Sequence, residues 1–317
     1  MAKSRFRAQL EPYYPPGSLK LREVAACNLC GERGFSPWKR VGPWTIAKCA
    51  HCGLCFLNPR PDAAELYADY HRRLHIEDAP TPEDVQRGVG AWDDRVELIS
   101  RFKAPGRALD LGCASGFFLG NLRGRGWEVM GCELADWAAR RARELFGIQV
   151  ITGDILSADL PERAFDLVTL WDVIEHVADP AAMLARARRA ARPDGLVVIR
   201  VPNTASLDAR CLGTSWIDWC LPYHFYHFTP GTLAALVERQ GLAVLHVEVG
   251  VSTLLWRFFF APLAIPSHHV KLLARLARVW WLKSMARTLA ENRTCREIGA
   301  RFMPGPMITL VAEAPQT

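Results

Sequence analysis

From residue 107 onward, short apolar runs alternate with longer stretches in which apolar residues recur at helical spacing. Each run is long enough for one buried strand, and each intervening stretch is long enough for a helix. This alternation is typical of βαβ units, which build a mainly parallel sheet covered by helices. The predicted fold class is therefore α/β, with strands at 107–111, 128–133, 149–152, 165–170, 195–201, 243–249 and 307–313, and helices at 116–124, 136–146, 180–191 and 230–240.

The chain before residue 107 has a different pattern. Residues 1–25 contain several prolines, which interrupt regular structure, and two cysteine pairs follow. Polar helical stretches come next, at about 62–75 and 84–103. The expected units are a lead and cysteine-rich ribbon at 1–61, a helical linker or cap at 62–104, and an α/β domain at 105–317 with insertions at 202–229 and 252–303.

The chain has 317 residues, of which 50% are hydrophobic and 23% are charged, so it can bury a sizeable core and is not of disordered composition. Its net charge of +6 is concentrated in one segment. Residues 252–303 hold nine of the 39 basic residues but only two of the 33 acidic ones, which leaves 30 basic and 31 acidic residues elsewhere. The body of the protein therefore offers no broad basic surface for following a phosphate backbone.

The segment 252–303 also contains Trp256, Trp280 and Trp281 among its cations. Aromatic and basic residues together suit a membrane surface or a lipid-linked partner, and they also suit nucleic acid. A contact between two copies of the chain in a homodimer, or simple packing on the core, would use the same residues. The sequence leaves these alternatives open.

The N-terminal residues 1–10 are basic but are not followed by an apolar core, so we expect no signal peptide. We therefore expect a cytoplasmic protein, which could also associate peripherally with a membrane through 252–303. The ten cysteines are then expected to be metal ligands and core residues rather than disulfides.

Two cysteine pairs indicate a metal site. Each pair has two intervening residues, and 18 residues separate the pairs. Gly31 and Gly53 each follow a pair directly and supply the tight turn that a zinc knuckle needs. Four thiolates complete a closed tetrahedral site, which is structural rather than catalytic. The predicted zinc ligands are Cys27, Cys30, Cys49 and Cys52.

The turn after the first strand of the α/β domain is predicted to bind a cofactor. Gly112 and Gly116 let the backbone turn sharply and approach a ligand closely. A dinucleotide-binding turn has a further glycine where this chain has Ala114, and Asp110 lies two residues before the first glycine. That carboxylate would repel a pyrophosphate, whereas it would attract the positively charged methionine end of a sulfonium cofactor.

Two further acids lie at the ends of the next two strands. Glu133 ends the second strand, 21 positions after Gly112, and can accept hydrogen bonds from ribose hydroxyls. Asp154 follows the third strand and could meet an adenine amino group. Each acid alone could be a solvated turn residue. Acids at three successive strand ends favour a ligand site, because open α/β sheets bind ligands at that edge.

These residues resemble the class I S-adenosylmethionine-dependent methyltransferases over about 107–250. The branch that includes ubiquinone-biosynthesis O-methyltransferases and sugar methyltransferases is the most similar. The resemblance implies a Rossmann-like seven-stranded methyltransferase sheet preceded by a small zinc ribbon. It also implies that Asp110, Gly112 and Gly116 hold the methionine and ribose parts of the cofactor, Glu133 the ribose and Asp154 the adenine, with Asp172 in the same cofactor site.

The resemblance also implies residues for the methyl acceptor. In quinone-type relatives a Glu-x-x-Glu-His stretch binds a divalent metal, and the corresponding positions here are Asp172, Glu175 and His176. The alternative is that the two acids begin a helix favourably and that His176 packs on the sheet.

A second implied feature is an insertion whose Pro-x-His-x-x-x-Phe pattern lies over the acceptor pocket, matched by Pro222, His224 and Phe228. We expect His224 to be the general base, with His227 and Tyr223 as further catalytic candidates. A histidine here could instead support the following helix.

The leading functional hypothesis is S-adenosylmethionine-dependent methyl transfer, to oxygen, on a small-molecule, glycan or lipid-linked acceptor. The alternative is a nucleic-acid (RNA) methyltransferase whose ribbon recognises the substrate. Base-methylating enzymes often have an Asn/Asp-Pro-Pro-aromatic motif after strand four, whereas this chain has Trp171-Asp-Val-Ile174. A nicotinamide-dependent oxidoreductase is disfavoured by Asp110 and Ala114. A non-catalytic binding module with the same fold is the fourth hypothesis.

Overall fold

The computed structural model describes residues 19–67, 80–252 and 304–316. Its centre is a seven-stranded sheet. The strands are β6 (Arg107–Leu111), β7 (Glu128–Glu133), β8 (Gln149–Thr152), β9 (Phe165–Trp171), β10 (Ala191–Pro202), β12 (Ala243–Val251) and β13 (Pro304–Glu313). Their order across the sheet is β12-β13-β10-β9-β6-β7-β8.

The strand β13 is antiparallel to both of its neighbours, β10 and β12, whereas β8, β7, β6, β9 and β10 are parallel. All seven predicted strands are present, and the α/β prediction is confirmed. The main difference is β10, which begins at Ala191 rather than at 195 because Ala191 pairs with Phe165 ahead of a register shift.

Seven α-helices lie entirely within the described residues: α1 (Pro82–Gly90), α2 (Asp93–Ser100), α3 (Phe117–Gly124), α4 (Asp136–Phe146), α5 (Pro180–Ala190), α6 (Leu207–Leu212) and α7 (Pro230–Arg239). The helix expected at 84–103 is two helices, which meet at Ala91 and Trp92. A reciprocal capping box between Thr81 and Asp84 begins α1. Of the helix expected at 62–75, residues 63–67 are helical, and 68–79 lie outside the described residues.

The cysteine-rich ribbon forms a separate four-stranded sheet. Three strands come from the ribbon itself: β2 (Phe35–Val41), β3 (Trp44–Cys49) and β4 (Cys55–Leu57). The fourth, β11 (Tyr226–His227), comes from the predicted insertion at 202–229, and the order across the sheet is β11-β4-β3-β2. A short antiparallel pair, β1 (Leu21–Arg22) with β5 (Arg60–Pro61), closes the unit. The ribbon and the insertion therefore share one sheet.

The apolar core on one side of the large sheet continues into the ribbon. Leu109, Leu170 and Val197 belong to the same buried cluster as Phe56 and the cysteine Cys49. Burying the ribbon's few apolar residues in this shared core compensates for its small size.

The basic aromatic segment proposed for membrane or dimer contact, 252–303, falls outside the described residues from 253 onward. Among the residues that are described, no helix combines the length and apolar character needed to cross a bilayer.

Candidate active site

The turn between β6 and α3 adopts the conformation that its glycines predict. Gly112 has φ +85° and Gly116 has φ +78°. A Cβ atom on Gly112 would lie 2.7 Å from Cγ2 of Val173, and one on Gly116 would lie 2.9 Å from Cβ of Ala142. Both positions therefore require glycine for conformation as well as for space.

Between these glycines, Ala114 has φ +45°, in the left-handed region that disfavours residues with a Cβ atom. Its amide nitrogen donates a hydrogen bond of 2.9 Å to Oε2 of Glu133, which holds the turn in place. The turn therefore accepts alanine where a dinucleotide-binding turn has glycine, although the backbone of Ala114 is strained.

Replacing Ala114 by glycine is expected to raise the free energy of unfolding by about 0.5–1 kcal/mol, because the left-handed strain that is removed exceeds the stability lost to the greater backbone entropy of glycine in the unfolded chain. Urea unfolding followed by circular dichroism measures this change. The matched control, Ala235→Gly in the interior of α7, should be destabilising. If Ala114→Gly unfolded at a lower urea concentration than the wild-type protein, the inference that Ala114 is strained would be wrong.

Glu133 lies at the end of β7 and its carboxylate is already oriented. Besides the Ala114 bond, Oε1 accepts a 2.8 Å hydrogen bond from the amide of Ala135. Each carboxylate oxygen has two lone pairs, so both retain capacity for a ribose hydroxyl. Asp154 follows β8 and is exposed, and its Oδ1 accepts a 3.0 Å hydrogen bond from the amide of Leu156.

Asp110 is buried near the end of β6, where its Oδ1 accepts a 2.7 Å hydrogen bond from the hydroxyl of Thr169. Burial, together with the nearby charge of Glu133, raises the pKa of Asp110 to about 7. The carboxyl therefore changes charge within the neutral pH range.

Asp172 follows β9 and has φ +56°. Its Oδ2 accepts a 2.7 Å hydrogen bond from the guanidinium of Arg200, at the end of β10. A second guanidinium, that of Arg95 in α2, lies 4.6 Å from the ring centroid of Trp92 and 5.9 Å from that of Trp171. Sequence reasoning missed both arginines, because neither belongs to a local motif.

Three side chains converge just beyond β9. Ligand atoms of Glu175, His176 and His224 all lie within 4.8 Å of one another, and the two imidazole rings are 4.5 Å apart. Asp172 is not part of this group. The structure thus brings the predicted base, His224, together with two of the three residues predicted near a metal.

The hydrogen bonds of the two imidazoles assign their tautomers. Nδ1 of His176 lies 3.1 Å from the carbonyl oxygen of Tyr223, and Nδ1 of His224 lies 2.9 Å from that of Asp218. Since a carbonyl oxygen only accepts, each Nδ1 carries the hydrogen. In the neutral imidazole, each Nε2 is therefore the ring nitrogen that carries no hydrogen.

Burial keeps this cluster in its neutral forms. Burial and the neighbouring histidines lower the pKa of His224 well below its usual range, and burial lowers the pKa of His176 to about 4. Glu175 is fully buried, and among the described residues neither of its oxygens has a hydrogen-bond partner. Burial, with the charge of Asp172, raises the pKa of Glu175 well above its usual range.

The other two catalytic candidates lie beside this cluster in different roles. Tyr223 is buried and supplies the carbonyl that orients His176. His227 is in β11, with its ring 5.2 Å from that of Trp219, and burial lowers its pKa to about 3. Its Nε2 is enclosed and has no hydrogen-bond partner in the described part of the chain.

The four predicted zinc ligands are gathered at one point. Their sulfur atoms lie within 4.8 Å of one another, with 3.5 Å between Cys27 and Cys52 and also between Cys30 and Cys49. A tetrahedral zinc site with Zn–S bonds of about 2.3 Å places its sulfurs roughly 3.8 Å apart, so the set fits zinc. Cys55 is not part of this group.

Comparison with known proteins agrees with this geometry. The profile of a family described as a methyltransferase domain matches residues 84–247, about half of the chain. The chain belongs to the methyltransferase-domain family. The predicted relationship to S-adenosylmethionine-dependent methyltransferases is confirmed at this level.

Two relatives illustrate the extent of the similarity. The methyltransferase is 31% identical to a ubiquinone biosynthesis O-methyltransferase of Pseudomonas fluorescens (strain SBW25) over 166 residues, which are 48% of this chain and 68% of that protein. It is 40% identical over 107 residues to an uncharacterized 37.1 kDa protein in transposon TN4556 of Streptomyces fradiae, covering 32% of this chain and only 31% of that protein.

Among solved structures, the chain is similar to the crystal structure of a SAM-dependent methyltransferase from Archaeoglobus fulgidus. The two are 22% identical, with a TM-score of 0.49, and the similarity covers 80% of this chain and 100% of that one.

Proposed function

We propose that this methyltransferase transfers the methyl group of S-adenosylmethionine to an oxygen atom of its acceptor, with His224 as the general base. The observation that carries the proposal is the tautomer of His224. Its Nδ1 is held by the Asp218 carbonyl, so Nε2 is available as a proton acceptor at the carboxyl end of β9.

The cofactor half of the site is proposed as follows. Asp110 and the turn through Gly112 and Gly116 hold the methionine and ribose parts, and Glu133 accepts the ribose hydroxyls. The exposed carboxylate of Asp154 is proposed to meet the adenine. Asp172 is proposed to face the cofactor through its pairing with Arg200, since this ion pair fixes its orientation.

The reaction is a direct displacement. When bound, S-adenosylmethionine supplies an electrophilic methyl carbon on a sulfonium. His224 takes the proton of the acceptor hydroxyl at Nε2 as the oxygen–carbon bond forms and the carbon–sulfur bond breaks. The lowered pKa of His224 means that its Nε2 is not already protonated in the neutral pH range.

The acceptor is proposed to be a small molecule, a glycan or a lipid-linked compound. Incubation of the protein with radiolabelled S-adenosylmethionine and a fractionated cell extract tests this directly. Label in a small-molecule, glycan or lipid-soluble fraction is expected. Label in a nuclease-sensitive fraction would instead assign the RNA methyltransferase alternative.

A specific observation supports a second candidate at the same site, a divalent metal ion. Glu175 is a fully buried carboxyl without a hydrogen-bond partner among the described residues, and ligand atoms of His176 and His224 lie within 4.8 Å of it. Two imidazoles and one carboxylate are a common ligand set for divalent transition metals. The ligands would then be Glu175, His176 and His224, with Asp172 paired to Arg200 instead.

Metal analysis separates the two candidates. The ribbon is proposed to bind about one zinc ion per chain through its four cysteines. A second divalent ion per chain, lost in Glu175→Gln while the first ion is retained, is expected if the histidine cluster binds metal. Binding of the ribbon zinc alone would leave His224 as the base.

A further inference from the structure

The acceptor-side segment 218–228 is held between two parts of the chain that are distant in sequence. On one side, the backbone carbonyl of Glu175 accepts hydrogen bonds from the amides of Phe225, at 2.8 Å, and Tyr226, at 3.1 Å. On the other side is the ribbon. His224 lies in this segment, directly before the residues that make both sets of contacts.

The ribbon contacts are backbone pairing. Strand β4 is antiparallel to β11, with Tyr226 opposite Phe56 and His227 opposite Cys55. The amide of Leu57 adds a 2.8 Å hydrogen bond to the carbonyl of Phe225. The acceptor segment is therefore an edge strand of the ribbon sheet.

This edge is connected directly to the predicted zinc ligands. Cys49 ends β3, Cys52 lies three residues before β4, and the amide of Cys49 donates a 2.9 Å hydrogen bond to the carbonyl of Leu54. The second zinc knuckle is thus the turn of the hairpin whose outer strand pairs with β11. Its geometry sets the position of β4.

Side chains strengthen the same connection. Arg60 donates a 2.8 Å hydrogen bond to the hydroxyl of Tyr226, and its guanidinium lies 5.0 Å from the ring centroid of Phe225. Trp219 is buried with Ile46 and Cys55 of the ribbon, and its ring is 6.1 Å from that of Trp38.

We propose that the ribbon is a wall of the acceptor half-site, and that zinc binding by its four cysteines positions His224. The ribbon residues are positioning residues, since the contacts described above are with Trp219, Phe225 and β11, which flank His224 in the chain. The functional consequence rests on the proposed role of His224, whereas the structural coupling stands on the shared sheet alone.

Hydrogen exchange on the full chain tests the coupling. Removing zinc with a thiol reagent and a chelator is expected to accelerate amide exchange in 218–228 by roughly tenfold or more, because β11 loses its fixed partner strand. Exchange in 107–133 should change less than about twofold, and so should the S-adenosylmethionine affinity by calorimetry. Unchanged exchange in 218–228, or equal acceleration everywhere, would overturn the proposal.

A second variant avoids removing the metal. Arg60→Met breaks the side-chain connection but leaves all four cysteines, so zinc content should stay the same while exchange in 218–228 accelerates. Arg40→Met, on the exposed outer strand β2, is the matched control and should have no effect on that segment. Equal amide exchange in 218–228 in Arg60→Met and Arg40→Met would contradict the structural coupling. This outcome does not depend on the methyl-transfer activity of either variant.

Discussion

Replacing His224 by glutamine is expected to lower kcat for methyl transfer by about 10²- to 10⁴-fold, the range that loss of a general base produces. Glutamine retains a hydrogen-bonding side chain of similar reach but cannot accept the proton of the acceptor hydroxyl. The affinity for S-adenosylmethionine should be unchanged, because the cofactor turn follows a different strand, β6.

Single-turnover methyl transfer and calorimetric cofactor binding measure the two effects separately. His246→Gln, on strand β12 at the far edge of the sheet, is the matched control and should keep the full rate. A full rate in His224→Gln would mean that another group takes the proton. If His224→Gln also loses a bound divalent ion, its role is that of a metal ligand.

The cofactor turn could be predicted because its residues are close in sequence. Gly112, Gly116 and the acids at the strand ends each have a local reason for their identity, and periodicity places the strands that present them. The arginines near Asp172 could not be found in this way. Arg95 and Arg200 are 105 positions apart, and nothing in the sequence indicates that both lie near one carboxylate.

The pairing of the ribbon with the acceptor-side insertion also could not be predicted from the sequence. The ribbon and the insertion at 202–229 each had a recognisable pattern, so they were predicted as separate features. Their shared sheet depends on a pairing between β4 and a two-residue strand, Tyr226–His227, about 170 positions away. A strand of two residues is too short to show the alternation of apolar and polar positions by which strands are recognised in a sequence. The pairing is decided by tertiary contacts, as β-structure often is.

Asp110→Asn is expected to weaken S-adenosylmethionine binding by about 10- to 100-fold, the equivalent of one charge-assisted interaction. The change removes the negative charge below the turn but keeps the shape of the side chain and a hydrogen-bond acceptor for Thr169. Isothermal calorimetry measures the loss. Asp136→Asn, an exposed acid in the first turn of α4 that is paired with Arg140, is the matched control.

The role of Asp110 also predicts the direction in which the wild-type affinity for S-adenosylmethionine changes with pH. The pKa of Asp110 in the folded protein is about 7, so the carboxyl is neutral below that pH and ionised above it. A cationic ligand prefers the ionised form, so its affinity should rise with pH through about 7, by up to tenfold per pH unit on the acid side. This slope should be absent in Asp110→Asn and present in Asp136→Asn.

The direction in which affinity changes with pH also distinguishes S-adenosylmethionine from a nicotinamide dinucleotide as the cofactor. A nicotinamide dinucleotide would place its anionic pyrophosphate near the same turn, and ionisation of Asp110 would repel it. Affinity for such a ligand should therefore fall as the pH rises through 7. A rising affinity for S-adenosylmethionine and a falling one for a dinucleotide would have one cause, the charge on Asp110. A flat profile for both would show that this carboxyl does not face the ligand.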